Sequence, residues 1–263
     1  MLLYQRFPIA CQDYTLSTNR YVSGLQTSNR SCCAAMTIVI HHLQRSSSER
    51  IPWLLEELGV PYDIRLYRRD QKTLRGPPEM KALHPTGTTG MIEDADVKIT
   101  ETGAVMEYIL GRYGDGRLSV QPSATNFAEY VFWFHWGIGS LMHIVELPLY
   151  LRFAGVAEDS PSMRGAQERL AAALTMIDNR LKSTKWLAGN DFTAADIYCV
   201  FPLSTMRLFA SFDLKGYDGL LRWLRDVSER PAYRKAMNRA EYGETRGGQF
   251  PVIYPDAPKS MFG

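Results

Sequence analysis

The sequence predicts a small α/β domain followed by an all-α domain, and three features carry that expectation. Residues 37–59, TIVIHHLQRSSSERIPWLLEELG, join a β-branched strand to an amphipathic helix through a polar loop. Short strand and helix signals alternate from there to residue 113. From residue 126 onward the periodicity is helical.

Residues 37–43 have the length and β-branched content of a buried strand. Ile51, Leu54, Leu55 and Leu58 recur at i, i+3, i+4 and i+7, one apolar helical stripe. Ser48 is read as the N-cap, and Pro52 is tolerated because the first helical N–H groups have no intrahelical partner. Gly59 ends the helix and Pro61 keeps it from resuming. The unit therefore aims the hydroxyls of Ser46, Ser47 and Ser48 at a helix N-terminus, where free N–H groups and the helix dipole favour an anion. A thiolate held there would be stabilised.

Residues 62–67 (YDIRLY) alternate apolar and polar side chains, as a half-exposed strand does. Pro77-Pro78 open a short helix, and residues 84–87 (HPTG) form a turn. Residues 91–93 and 97–99 make two strands around the turn Asp94-Ala95-Asp96, and residues 101–113 form a helix carrying Val105, Tyr108 and Ile109. The order βαβαββα, parallel first and a hairpin last, matches a thioredoxin-like sandwich over residues 36–114.

Residues 115–125 are a polar linker. The helical domain, 126–241, starts with a long aromatic helix over 126–153. Leu170, Leu174, Ile177 and Leu181 then mark a second helix. Thr193-Ala194-Ala195-Asp196 is a capping-box variant ahead of an apolar helix over 197–208, with Asp196 as a structural cap. A further helix over 220–228 ends at Arg230-Pro231. The tail 242–263 lacks periodicity and is expected to be mobile. Residues 1–35 hold Arg6, Arg20 and Arg30 against Asp13, the composition of a weak transit peptide. They read better as a disordered extension, or as an upstream start ahead of Met36.

A net charge of +2 with no charge block gives no nucleic-acid face. No apolar run approaches the roughly 20 residues that span a bilayer. Cys11, Cys32, Cys33 and Cys199 have neither metal-ligand spacing nor a disulfide framework, which points to a reducing, cytoplasmic compartment. His41 and His42 read as structural strand residues, and no metal constellation emerges.

Four stretches in this order resemble the cytosolic glutathione S-transferases, particularly the fungal and bacterial Ser-type enzymes. They are HHLQRSSSERIPWLLEELGVPY, HPTGTTGMIEDADVKITETGAVMEYI, FWFHWGIGSLM, and KWLAGNDFTAADI followed by LLRWLRDVSERPAY. Together they run from Met36 to about Met237. The resemblance implies glutathione as cofactor on the N-terminal domain, a hydrophobic small-molecule electrophile against the helical domain, and a homodimer.

Ser46 stands four residues before Arg50, the family spacing of the catalytic hydroxyl, and would donate a hydrogen bond to the glutathione sulfur, favouring thiolate. Ser47 and Ser48 are its alternatives, with Ser46 preferred and Ser48 as the cap. Arg50 reads as a structural or local electrostatic residue. Glu101-Thr102 occupies the family's Glu-Ser position, where the carboxylate pairs with the γ-glutamyl ammonium and the hydroxyl receives its carboxylate. Thr89-Gly90 replaces the pair whose second residue is a cis-proline, and Thr88 stands where a basic residue is common. A cis bond without proline costs roughly 2.5–4 kcal/mol, so a trans Thr89–Gly90 bond is expected, with weakened glutathione contacts. Tyr130, Trp133 and Trp136 differ by three and share a helix face, which their spacing does not identify. The resemblance implies that one face of this helix borders the electrophile, which makes the three candidate substrate contacts, although aromatic stripes usually belong to cores. His135 and His143 are weaker candidates for a general acid.

Conjugation is the expected reaction. Reversible addition to an activated double bond, giving cis–trans isomerisation, uses the same thiolate. A non-catalytic binding or regulatory module is the alternative of another class, motivated by the missing cis-proline. A dithiol reductase fits poorly, because the active-site loop holds no cysteine.

Overall fold

A four-stranded sheet of order β2-β1-β3-β4 anchors the first half of the chain. The computed structural model describes residues 37–85, 87, 89–241 and 254–262. The extension 1–35, Thr88 and residues 242–253 of the tail lie outside them.

Strand β1 (Ile38–Leu43) runs parallel to β2 (Tyr62–Tyr67) and antiparallel to β3 (Met91–Asp94), which turns back as β4 (Val97–Ile99). Ile40 lies opposite both Ile64 and Ile92, so β-branched side chains meet across the centre of the sheet. Helices α1 (Arg50–Leu58) and α3 (Thr102–Tyr113) set their apolar stripes into this core, and α2 (Pro78–Lys81) is a single turn. Ile51, Leu54, Leu55, Val105, Met106 and Ile109 are all fully buried. The expected order of elements and the mixed strand directions are both present.

The start of α1 differs from expectation. A 3-10 turn, Ser47–Glu49, precedes it; the capping serine is Ser46, at the start of that turn, rather than Ser48, and the residue before α1 itself is Glu49, whose side chain caps nothing. Ser46 has an extended backbone, and its hydroxyl accepts from the Ser48 N–H at 3.4 Å. The extra turn shifts the cap two residues toward the strand.

In the helical domain, α4 (Phe127–Trp136) passes through a π turn (Gly137–Leu141) into α5 (Met142–Phe153), so the single long aromatic helix is interrupted. Gly137 is packed so tightly there that a Cβ would lie 2.8 Å from Cys199 Sγ. Helix α6 (Pro161–Ser183) leads to α7 (Ala194–Leu203), which stops short of the expected end and is followed by a 3-10 turn, Thr205–Leu208. The buried Asp196 carboxylate accepts from the N–H groups of Thr193 (3.0 Å) and Leu187 (2.9 Å) and from Trp223 Nε1 (3.0 Å), the structural role assigned to it.

Helices α8 (Asp218–Glu229) and α9 (Pro231–Ala240) complete the bundle, and α9 returns onto α1. Trp53 meets Tyr233 edge to face at 4.7 Å, and Arg230 grips Glu57 through two bonds of 2.6 and 2.7 Å. Residues 254–262 of the tail are pinned rather than mobile. The buried Arg207 guanidinium donates to the carbonyls of Tyr254 (2.8 Å) and Asp256 (2.7 Å), and the Met261 N–H donates to Leu208 O (2.7 Å). No periodicity announces such a strap, because its partners are carbonyls and carry no side-chain pattern.

Candidate active site

Three serines sit between β1 and α1, and burial separates them. Ser46 and Ser48 are buried with their Oγ atoms 2.7 Å apart, and Ser48 Oγ lies 2.8 Å from His42 Nδ1. Ser47 is only half-buried and turns the other way. Its Oγ lies 3.1 Å from Thr89 Oγ1 and 3.5 Å from Thr102 Oγ1. The structure therefore brings the Ser47 and Thr102 hydroxyls together with that of Thr89, a residue expected to act through its backbone, and leaves Ser46 and Ser48 beneath them.

The opposite wall is the start of α3. Thr102, its first residue, is buried, whereas Glu101 is exposed and its side chain caps nothing. Glu101 has φ 70° and ψ 111°, a conformation that strains any residue with a Cβ by about 1–3 kcal/mol. Gly90 has φ 87°, and a Cβ there would lie 2.6 Å from Thr102 Oγ1. The Thr89–Gly90 bond is trans. Glycine thus lets the chain pass directly under the α3 N-terminus, where it brings the Thr89 hydroxyl to Ser47.

Arg50, read as structural, links this loop to the helical domain. It is buried; its Nε donates to Tyr198 O (2.8 Å), its Nη1 to Ser47 O (3.3 Å), and its guanidinium lies 4.1 Å from the Tyr198 ring centroid. Beside it, Glu49 is fully buried against the Thr205 hydroxyl at 2.9 and 3.1 Å. Burial, and then the nearby Glu241 carboxyl, push the Glu49 pKa up to about 8. On the strand below, His41 bridges Tyr67 (2.9 Å) and Glu93 (3.2 Å), in keeping with a structural role. His42 reaches Glu241 at 3.3 Å through Nε2, a contact that sequence reasoning missed. Adjacent strand histidines face opposite sides of a sheet, which is the one signal that separates them.

The predicted aromatic stripe turns mostly inward. Tyr130 stacks on Phe134 at 5.9 Å, and Phe134 meets Tyr198 of α7 edge to face. Trp133 is buried, its carbonyl 3.6 Å from Cys199 Sγ, and its indole N–H has no partner among the described residues. Trp136 is half-buried against Trp133. These rings join α4 to α7, so a spacing of three marked the core face of this helix. The residue that reaches the α3 N-terminus lies after the π turn begins: Ile138 Cδ1 would touch a Cβ at Gly103 at 3.0 Å. Two turns on, Glu146 is half-buried; burial raises its carboxyl pKa, against the opposing effects of His143, Tyr150 and Arg50. His135 is exposed and lies 3.9 Å from Glu107 across the surface, away from the hydroxyl cluster.

Comparison with known proteins places this geometry. Residues 36–111 match the glutathione S-transferase N-terminal domain, and residues 140–231 match the glutathione S-transferase C-terminal domain. Glutathione S-transferase 3 of Schizosaccharomyces pombe is 36% identical over 220 residues, covering 78% of this chain and 88% of that protein. A glutathione S-transferase structure from Actinobacillus pleuropneumoniae superimposes with a TM-score of 0.71 at 26% identity, covering 78% of this chain and 93% of its own. The glutathione transferase URE2P8 of Phanerochaete chrysosporium, solved with oxidized glutathione, shares the fold with a TM-score of 0.64 at 20% identity, covering 80% and 98%. With both domains matched in order and this identity across a full-length relative, the chain belongs to the glutathione S-transferase family and is an enzyme of that kind.

Proposed function

We propose that the enzyme activates the glutathione thiolate through Ser47 and adds it to a hydrophobic electrophile. The observation that carries this reading is the division among the serines. Ser47 Oγ faces the Thr89 and Thr102 hydroxyls, whereas the expected Ser46 is buried and serves as the N-cap. Glutathione is here a substrate joined to the product, in place of the cofactor role expected from sequence.

The Ser47 hydroxyl donates to the sulfur, so the thiol loses its proton to solvent more readily, and the thiolate forms the new C–S bond as the electrophile's π bond opens or its leaving group departs with the bonding pair. Glu101 offers an uncapped carboxylate to the γ-glutamyl ammonium, and Thr102 with the first N–H groups of α3 receives the γ-glutamyl carboxylate. Thr89 and Gly90 line the floor between them. Arg50 holds the Ser47 carbonyl and so fixes the turn from behind.

For the electrophile, Ile138, packed against the start of α3, serves as the apolar wall in place of the Tyr130–Trp133–Trp136 face. A homodimer is part of the same reading, since α4 leaves Val131 and Phe132 exposed; sedimentation at a monomer mass would remove it. Among the described residues no helix is long and apolar enough to cross a membrane. A cytoplasmic location is proposed on the expectation from the cysteines, and fractionation of cells tests it.

The deciding experiment compares Ser47→Ala with Ser46→Ala. Ser47→Ala should lower kcat/KM by about 10²–10³ and raise the pH at which bound glutathione ionises, read from thiolate absorbance. Ser46→Ala should act chiefly on stability, by about 1 kcal/mol. Undiminished turnover in Ser47→Ala removes the mechanism.

A further inference from the structure

The two buried serines belong to a chain of hydrogen bonds that ends at Glu241, the residue closing α9. Glu241 Oε1 accepts the Arg45 backbone N–H at 2.8 Å and lies 3.3 Å from His42 Nε2. His42 Nδ1 lies 2.8 Å from Ser48 Oγ, which lies 2.7 Å from Ser46 Oγ. His42, Ser46, Ser48 and Glu241 are all buried. Glu49, Tyr233 and Arg69 also sense the Glu241 charge.

With His42 neutral, the protons in such a chain have one consistent order. A backbone N–H can only donate and a carboxylate can only accept, so the Glu241 carboxylate asks His42 for an Nε2–H. The neutral ring then presents a lone pair at Nδ1, and Ser48 must donate to it. Ser48 Oγ, its single proton used, accepts from Ser46. Both buried serines therefore point their only protons inward, and Ser47 is left as the serine of this loop with a proton for the cleft. Glu241 also holds the loop backbone at Arg45, whose φ of 53° lies in the left-handed region.

We propose that Glu241 and His42 are positioning residues that orient the hydroxyl protons of the loop, so that Ser47 and not Ser46 donates to the glutathione sulfur. The inference rests on the reading of Ser47 given above. It makes opposite demands of two substitutions. One oxygen, Oε1, meets both Arg45 and His42, so Glu241→Gln can set its amide oxygen there and keep the order. Glu241→Leu removes the acceptor, and a buried Nε2–H without a partner is costlier than a bare lone pair. The ring then carries its proton on Nδ1 and donates to Ser48, Ser48 donates to Ser46, and the Ser46 proton is freed.

The test uses the full chain. ¹⁵N spectra of the wild type and of Glu241→Gln should show His42 protonated at Nε2 alone, and spectra of Glu241→Leu should show protonation at Nδ1 alone. In the Ser47→Ala background, Glu241→Leu should restore roughly ten-fold of the lost kcat/KM and lower the ionisation pH of bound glutathione by about one unit, and Glu241→Gln should do neither. Adding Ser46→Ala should abolish that gain. A wild-type His42 protonated at Nδ1, or at both nitrogens, overturns the proposal even if no variant folds. A reversed tautomer with no regained activity reduces the chain to a structural clamp and overturns it as well. Full activity in Ser47→Ala alone instead removes the reading on which the inference rests, so the two failures are distinct.

Discussion

Two helix beginnings meet at this site, and they are built in opposite ways. The approach to α1 is saturated: Ser46 caps the 3-10 turn that leads into it, Ser48 ties that turn to the sheet through His42, and Arg50 holds it to α7. The start of α3 is open: Glu101 caps nothing and is held at φ 70°. A saturated start keeps one hydroxyl, that of Ser47, in a fixed direction. A strained start without a protein cap leaves N–H groups and a carboxylate for a ligand. On the proposed reading, the first serves chemistry and the second recognition.

Gly90→Ala should break the open side most severely. A Cβ at φ 87° and 2.6 Å from Thr102 Oγ1 must push α3 away from the floor of the site. We expect a stability loss of about 1–3 kcal/mol in urea and a KM for glutathione at least roughly ten-fold higher. A variant of normal stability and unchanged KM would show that the close approach is unimportant.

Glu101 separates strain from binding. Glu101→Gln should raise the glutathione KM about ten-fold, because a hydrogen bond to a charged group contributes about 1.5–3 kcal/mol, with little change in melting temperature. Glu101→Gly should weaken binding similarly while raising stability by about 1 kcal/mol, since glycine adopts φ 70° without strain. A fall in melting temperature for the glycine variant would mean that Glu101 serves the fold rather than the ligand.

The same contrast explains what could be read from sequence. The sheet, its strand directions and the Thr193–Asp196 cap were legible, because β-branched runs, turn chemistry and capping pairs act over a few neighbouring residues. The open wall was legible too, as Glu101-Thr102 beside Thr89-Gly90. The saturated wall was not. Which serine faces the cleft depends on a 3-10 turn and on Glu241, which meets the loop only after α9 folds back onto α1. The aromatic stripe misled for a related reason. Tyr130 and Trp133 pack against α7, and the π turn after Trp136 resets which side of the helix reaches the site. Spacing reports a shared face, not what that face meets.

The last prediction probes the buried acid beneath the saturated side. Glu49 has a folded pKa raised to about 8, by burial first and the Glu241 carboxyl second, against an ordinary 4.5. Between those values the folded chain keeps a proton that the unfolded chain has lost, so stability falls as pH rises through this window and the slope vanishes on either side. The slope is at most about 1.4 kcal/mol per pH unit for one proton. Glu49→Gln keeps a neutral partner for Thr205 and removes that proton. Its unfolding free energy should therefore lack this fall between pH 5 and pH 8 (about one proton's linkage) and should exceed the wild type at the alkaline end. Ser47→Ala, which leaves Glu49 buried, should keep the wild-type slope. Parallel wild-type and Glu49→Gln curves would mean that the acid ionises freely beneath the loop, and that the α1 side is less closed than its hydrogen bonds imply.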